Sequence, residues 1–164
     1  MKVLYLVRHA KSSWADFSIQ DFDRPLNERG KRDAPLMAQR LLDKGCRIDA
    51  FISSPAKRAR KTAEHFAKVY GRDKSTIIYH DELYLASPAT FAEVIGKTNE
   101  FHEHIAVFSH NNGITDFANV LTEMRIDEMP TCSIFAVSAD TNDWREFMNV
   151  RKEFLFFDYP KSQP

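Results

Sequence analysis

The stretch Val3-Leu4-Tyr5-Leu6-Val7-Arg8-His9-Ala10 decides the reading of this chain. Its apolar run makes a short buried strand, and the strand's end presents a guanidinium and an imidazole side by side. In open α/β sheets that carboxyl edge is where ligands bind. Arginine offers a planar fork that fits phosphate oxygens, and histidine offers a nitrogen able to act as a nucleophile near neutral pH. Arg-His alone recurs by chance. Two further stretches give it weight: Ser53-Ser54-Pro55-Ala56-Lys57-Arg58-Ala59-Arg60-Lys61-Thr62 and Val107-Phe108-Ser109-His110-Asn111. Each lies just after a strand-like run and opens a loop or helix, so a parallel sheet would bring all three to one edge.

Working outward, strand-like and helix-like segments alternate, which predicts an α/β fold of three layers (α/β/α) around a mainly parallel sheet. Residues Lys11 to Asp23, polar but containing Trp14 and Phe17, read as a long loop over the site. Asn27 caps a helix to about Lys44, with Ala34, Met37, Ala38, Leu41 and Leu42 on one face and Gly45 after its end. Pro35 should bend or delay it. Ala50 to Ser53 is a second strand, and Ser54-Pro55 reads as N-cap and first residue of a helix to about Tyr70, closed by Gly71. Thr76 to Tyr79 is a third strand; Ser87-Pro88 starts a helix through Ile95. Ile105 to Phe108 is a fourth, followed by a helix over roughly Gly113 to Glu123. Ser133 to Ala139 is a fifth, and a sixth is expected around Trp144 to Val150, with the aromatic tail from Phe154 to Tyr159 packed on the domain. No repeat or linker interrupts residues 1–164, so one domain is expected.

With 164 residues, such a domain buries roughly 70% of the surface its unfolded chain exposes. Lys and Arg number 23, as do Asp and Glu, so no global field favours nucleic acid or a membrane surface and any anion recognition must be local. Two cysteines, Cys46 and Cys132, make no disulfide framework and no metal-ligand spacing. No apolar run approaches the roughly 18 residues of a spanning helix, and the start lacks a signal peptide's apolar region. The expectation is a soluble, cytoplasmic protein without a metal or cofactor.

The Leu-Val-Arg-His-Ala run, Ser-Pro-x-x-Arg-Ala-x-x-Thr at 54–62 and Ser-His-Asn at 109–111 resemble the histidine phosphatase superfamily, whose fold is phosphoglycerate-mutase-like. The short length, Lys11-Ser12-Ser13-Trp14 and Asp23-Arg24-Pro25-Leu26-Asn27-Glu28-Arg29-Gly30 look most like its small SixA-type branch, the phosphohistidine phosphatases. The resemblance implies a single histidine-phosphatase domain in which His9 becomes transiently phosphorylated. It further implies that Arg8 and Arg58 hold the phosphoryl oxygens and that His110 donates to them in the transition state.

Elementary chemistry agrees with those roles. Phosphoryl transfer asks for in-line positioning and neutralised oxygen charge. A neutral imidazole can attack when its other nitrogen is pinned, and neighbouring arginines oppose its protonation. Larger members of the superfamily also use a carboxylic acid near the third strand to protonate the leaving oxygen. Here Asp81-Glu82-Leu83 lies in that region without the usual Gly- and Trp-containing context, which leaves Glu82 open as an acid. A phosphohistidine needs the acid less, because its leaving imidazole has a conjugate-acid pKa of about 6.5, far below an alcohol's. The expected substrate is therefore a phosphohistidine on a protein, such as a histidine-phosphotransfer domain of a signalling relay. Small phosphate esters, or a phosphate-binding module without turnover, are the alternatives.

Other residues have plainer readings. Lys11, Ser12 and Arg24 are either rim groups for the phosphate or its carrier, or ordinary loop. Asn111 either touches substrate or caps the following helix. His65, His80, His102 and His104 read as surface or packing residues. His102-Glu103-His104 offers at best two metal ligands, since neighbours on extended chain alternate faces. The basic run Lys57, Arg58, Arg60 and Lys61 is read as split, with Arg58 facing phosphate and the others facing water.

Overall fold

Six strands form one sheet in the computed structural model, which describes residues 1–162. They are β1 (Lys2–Arg8), β2 (Ala50–Ser53), β3 (Ile78–Tyr79), β4 (His104–Ser109), β5 (Ile134–Ala139) and β6 (Lys152–Asp158). Their order across the sheet is β3-β2-β4-β1-β5-β6. The first four in that order run parallel. β5 and β6 are antiparallel to their neighbours, so the parallel sheet carries an antiparallel edge.

Four helices cover the sheet. α1 (Glu28–Asp43) and α2 (Lys57–Val69) lie over Val3, Tyr5 and Val7, while α3 (Pro88–Gly96) and α4 (Gly113–Leu121) lie over Leu4 and Leu6. Alternate residues of β1 thus feed two separate cores, which is why its sequence is apolar without a break. Leu6 is fully buried, and truncating it to Ala would cost about 2–5 kcal/mol.

Local signals place most boundaries. The Asn27 side chain accepts the Gly30 N–H at 2.9 Å and starts α1 where expected. The helix continues unbroken through Pro35, because Ala34, Met37, Ala38 and Leu41 bury that face; Leu42, expected beside them, is exposed. Gly30 packs so tightly that an added Cβ would sit 2.2 Å from the Lys11 carbonyl oxygen. Gly113 does the same at the start of α4, 1.8 Å from the carbonyl of Ala86. Ser87 and Pro88 begin α3 as read.

Three expectations need correction. α2 begins at Lys57, two residues after Pro55, because Ser54 turns its hydroxyl to Ala56 N–H and to a histidine instead of capping a helix. The third strand shrinks to Ile78–Tyr79, since Lys74–Thr76 winds into a 3₁₀ turn capped by Asp73. The sixth strand is Lys152–Asp158, in the aromatic tail, whereas Trp144–Asn149 forms a 3₁₀ segment whose Trp144 and Phe147 plug one core. No helix among the described residues is long and apolar enough to cross a membrane.

Candidate active site

Arg8, His9, Arg58 and His110 meet at the carboxyl edge of the parallel strands. Arg8 pairs with Ser109 across β1 and β4, and Ser53 pairs with Phe108 across β2 and β4, so the three chain exits lie side by side. The His9 N–H donates to Ser109 O at 3.0 Å, and Cys132 N–H donates to the carbonyls of both Arg8 and His9. Thr62 ties the same turn to α2: it accepts Ala10 N–H at 2.9 Å and donates to Arg58 O at 2.8 Å.

Each histidine is held by one ring nitrogen. His9 Nδ1 lies 2.7 Å from Ala10 O, an acceptor only, so Nδ1 carries the proton and Nε2 keeps a lone pair. His110 Nε2 lies 2.8 Å from Ser54 Oγ, and its Nδ1 is buried without a partner. Burial pushes His9 down to about 3, with the charges of Arg58, Arg8 and Arg24 acting the same way against the Ala10 hydrogen bond. Burial likewise lowers His110 to about 2, reinforced by His9 and Arg58. Both rings are neutral bases in the free protein.

The two arginines share a pattern. Arg8 Nη1 donates to Met129 O at 2.7 Å and stands 3.7 Å from Glu128 Oε1. Arg58 Nη1 donates to Asp21 O at 2.6 Å, and Nη2 to Asp21 Oδ2 at 3.1 Å. Arg8 is held through one terminal nitrogen and Arg58 through both, and in each Nε is buried and unpartnered. Three buried nitrogens without a partner, Arg8 Nε, Arg58 Nε and His110 Nδ1, belong to side chains that lie close to His9. Buried polar atoms are rarely left without partners, and a cluster of them suits an anion with several acceptor oxygens.

The rim departs from expectation in several places. Arg24 and Ser12 are buried together, Arg24 Nη1 donating to Ser12 Oγ at 2.6 Å, with the guanidinium 3.6 Å from the Trp14 ring centre. Arg24 is close enough to His9 to oppose its protonation. Lys11 contributes main chain: its carbonyl accepts Asn27 N–H at 3.0 Å and abuts Gly30. Asn111 does not cap α4, whose N-cap is Asn112. Its side chain accepts from Thr115 Oγ1 and donates to Glu128 Oε1 at 3.0 Å, bracing the segment that holds Arg8. Glu82 pairs with His80 Nδ1 at 3.3 Å on an exposed 3₁₀ turn.

Sequence reasoning missed Asp21 and Tyr84. The Tyr84 hydroxyl donates to Asp21 Oδ2 at 2.6 Å, and its ring stands edge-on to His110 with centres 5.5 Å apart. Ser54 was read as a helix cap, although it holds His110. The acid-to-arginine spacing of Asp21 and Arg24 is the signal that marks the first of these. Of the basic run, Arg58 turns inward, while Arg60 and Lys61 pair with Glu64. No group of three His, Cys, Asp or Glu side chains is arranged to hold a metal among the described residues. An open groove of about 1090 Å³, bounded by Met1, Val120, Met124 and Arg151, lies by the start of β1 and is lined by no histidine.

Residues 4–84 match the family model of the histidine phosphatase superfamily (branch 1). An uncharacterized chloroplastic protein of Arabidopsis thaliana is 31% identical over 156 residues, covering 87% of this chain and 69% of the relative. An uncharacterized protein of Mycobacterium leprae is 32% identical, with 94% and 100% covered. Among solved structures, SixA of Agrobacterium tumefaciens superposes with a TM-score of 0.81 at 28% identity, over 97% of this chain and 98% of that one. A protein histidine phosphatase SixA complexed with tungstate has the same TM-score at 21% identity, over 96% of each chain, and so shares the fold.

Proposed function

This chain belongs to the histidine phosphatase superfamily, in its short SixA-type branch, and we propose that it removes phosphoryl groups from histidine side chains of proteins. The reaction runs through a covalent phosphohistidine on His9. Two arginines and a second histidine lying close to a histidine whose Nε2 keeps its lone pair carry this reading.

In the first step His9 Nε2 attacks the phosphorus of a phosphohistidine whose other ring nitrogen carries a proton; a new N–P bond forms, the N–P bond to the substrate ring breaks, and its electron pair stays on that ring, which leaves as neutral imidazole. Arg8 and Arg58 donate to the phosphoryl oxygens. His110 adds a third donor when Ser54 donates to its Nε2, which leaves the proton on Nδ1. Ser54 is free to do so, because its oxygen already accepts Ala56 N–H at 3.2 Å. In the second step water attacks the phosphorus of phospho-His9. Inorganic phosphate leaves with the water's oxygen, and neutral His9 returns.

The substrate class follows from the leaving group. Transfer between two imidazoles is nearly symmetric in bond type, whereas an alkoxide needs a proton from the enzyme. Glu82 is paired with His80 on an exposed turn, which favours the phosphohistidine. A histidine-phosphotransfer protein of a signalling relay fits that class. Small phosphate esters form the second reading, favoured only if a carboxylic acid serves the leaving oxygen. Side-by-side turnover of a phosphohistidine protein and a panel of alkyl and aryl phosphates tests the choice. Faster hydrolysis of a sugar phosphate than of the phosphoprotein would reject the proposal.

A further inference from the structure

We infer that Asp21 is a positioning residue for the phosphoryl site, taking both terminal nitrogens of Arg58 and so fixing the plane of its guanidinium beside His9. The inference rests on the phosphatase reading above and adds to it a residue from the loop over the site.

A guanidinium has five N–H donors in a rigid fork, and its direction is set by whichever donors are anchored. Arg58 is anchored twice by one residue, through the main-chain oxygen of Asp21 at 2.6 Å and its carboxylate at 3.1 Å. Simple charge neutralisation would need only the carboxylate. Two contacts from adjacent acceptors fix the plane of the fork as well. The Arg58 side chain is only 5% exposed, so few other orientations are open to it. Arg8 is held by Met129 O through a single terminal nitrogen, and its Nε likewise has no partner.

Asp21 reaches further than Arg58. Its carboxylate also receives the Tyr84 hydroxyl at 2.6 Å and the Arg24 Nη2 at 3.1 Å. One residue thus joins the loop, the first turn of α2 and the segment that lays Tyr84 against His110. Arg58, Arg8 and Arg24 all lie close enough to His9 to act on its charge, and Asp21 offsets part of that positive charge beside Arg58 and Arg24 as Glu128 does 3.7 Å from Arg8. Burial raises the Asp21 pKa, but the Tyr84 hydroxyl and the two arginines outweigh it and hold it at about 2. It is a carboxylate under all working conditions and therefore no proton donor.

A double-mutant cycle on p-nitrophenyl phosphate, with melting curves as a check on folding, tests the role. If Asp21 works through Arg58, Asp21→Ala should lower kcat/KM about tenfold to a hundredfold in the wild-type background. In the Arg58→Ala background the same change should cost less than about threefold. Asp21→Asn keeps an acceptor for the fork and should recover most of the loss. Equal losses in both backgrounds would assign Asp21 a general structural role and overturn the inference, as would an Asn variant as poor as Ala. Should Asp21→Ala not fold, Asp21→Ser runs the same cycle. Failure of the wild-type protein to form a phosphoenzyme would instead reject the phosphatase reading itself.

Discussion

The rings of His9 and His110 stand 5.2 Å apart, tilted by 48°, and each is tethered through a different nitrogen. His9 is held by Nδ1 on Ala10 O, which leaves Nε2 bare; His110 is held by Nε2 on Ser54, which leaves Nδ1 without a partner. Two chemically identical side chains are thereby set to opposite tasks, one to give an electron pair and one to give a hydrogen bond. Neither task needs a proton from solution.

Replacing His9 with Ala should abolish turnover and the phosphoenzyme while leaving the fold intact. The intermediate is expected to be acid-labile and base-stable, as a phosphoramidate is. Trapping with labelled substrate and mapping the label checks this, and a label persisting on the His9→Ala protein would refute the assignment.

Arg58→Lys keeps the charge but loses the fork and the double hold of Asp21. The expected loss in kcat/KM is about tenfold to a thousandfold, on the order of 1.4–4 kcal/mol of transition-state stabilisation. Kinetics close to wild type would reduce Arg58 to a distant countercharge.

Ser54→Ala removes the group that fixes the His110 tautomer and strands both His110 Nε2 and Ala56 N–H. A fall in kcat of about tenfold or more is expected, with KM changing less. Unchanged kcat with a normal melting curve would show that His110 needs no such fixing.

Acid should weaken the fold before it blocks the nucleophile. His9 and His110 sit at about 3 and about 2 in the native state, below the ordinary 6.5. Between those limits the unfolded chain binds more protons than the native one, so stability is fully present above 6.5 and falls as pH drops toward 3. The loss per histidine is on the order of 2 kcal/mol by pH 5. Denaturant melts from pH 8 to pH 5 measure it, and ring-nitrogen NMR shifts for both histidines should stay those of neutral imidazole throughout. Titration of either ring near pH 6.5 would contradict the prediction.

Glu82→Gln should leave phosphohistidine turnover within a few-fold of wild type, since its partner is His80 at the surface. Across phosphate esters, rates should rise as the leaving phenol becomes more acidic, with unactivated alkyl phosphates poor substrates. A sugar phosphate hydrolysed fast by wild type and selectively lost in Glu82→Gln would promote the small-ester reading.

The parts of this molecule legible in its residues are those set by short-range rules. Val3 to Val7 announces a strand buried on two faces, and Asn27, Ser87-Pro88 and Gly71 punctuate helices through local hydrogen bonds and backbone preference. The meeting of Arg8, Arg58 and His110 follows from strand ends sharing an edge. What stayed hidden depends on contacts between distant segments. Asp21 meets Tyr84 across 63 positions and Arg58 across 37, and nothing within the polar loop itself demands either. The misplaced sixth strand has a similar cause. Trp144 and Phe147 look like strand residues, but they fill a core from a 3₁₀ turn, and the neighbouring Phe154–Phe157 run takes the sheet edge.

The two ends of the sheet carry one more consequence. At one border β3 is only two residues long, and at the other β6 bears Lys152, Glu153 and Asp158, with a register shift in its pairing to β5. A border as short as β3 is a poor template for a strand arriving from another molecule. At the β6 border the charges flank the apolar Phe154–Phe157 run, so the register shift that skips Leu155 is what interrupts the flat edge there.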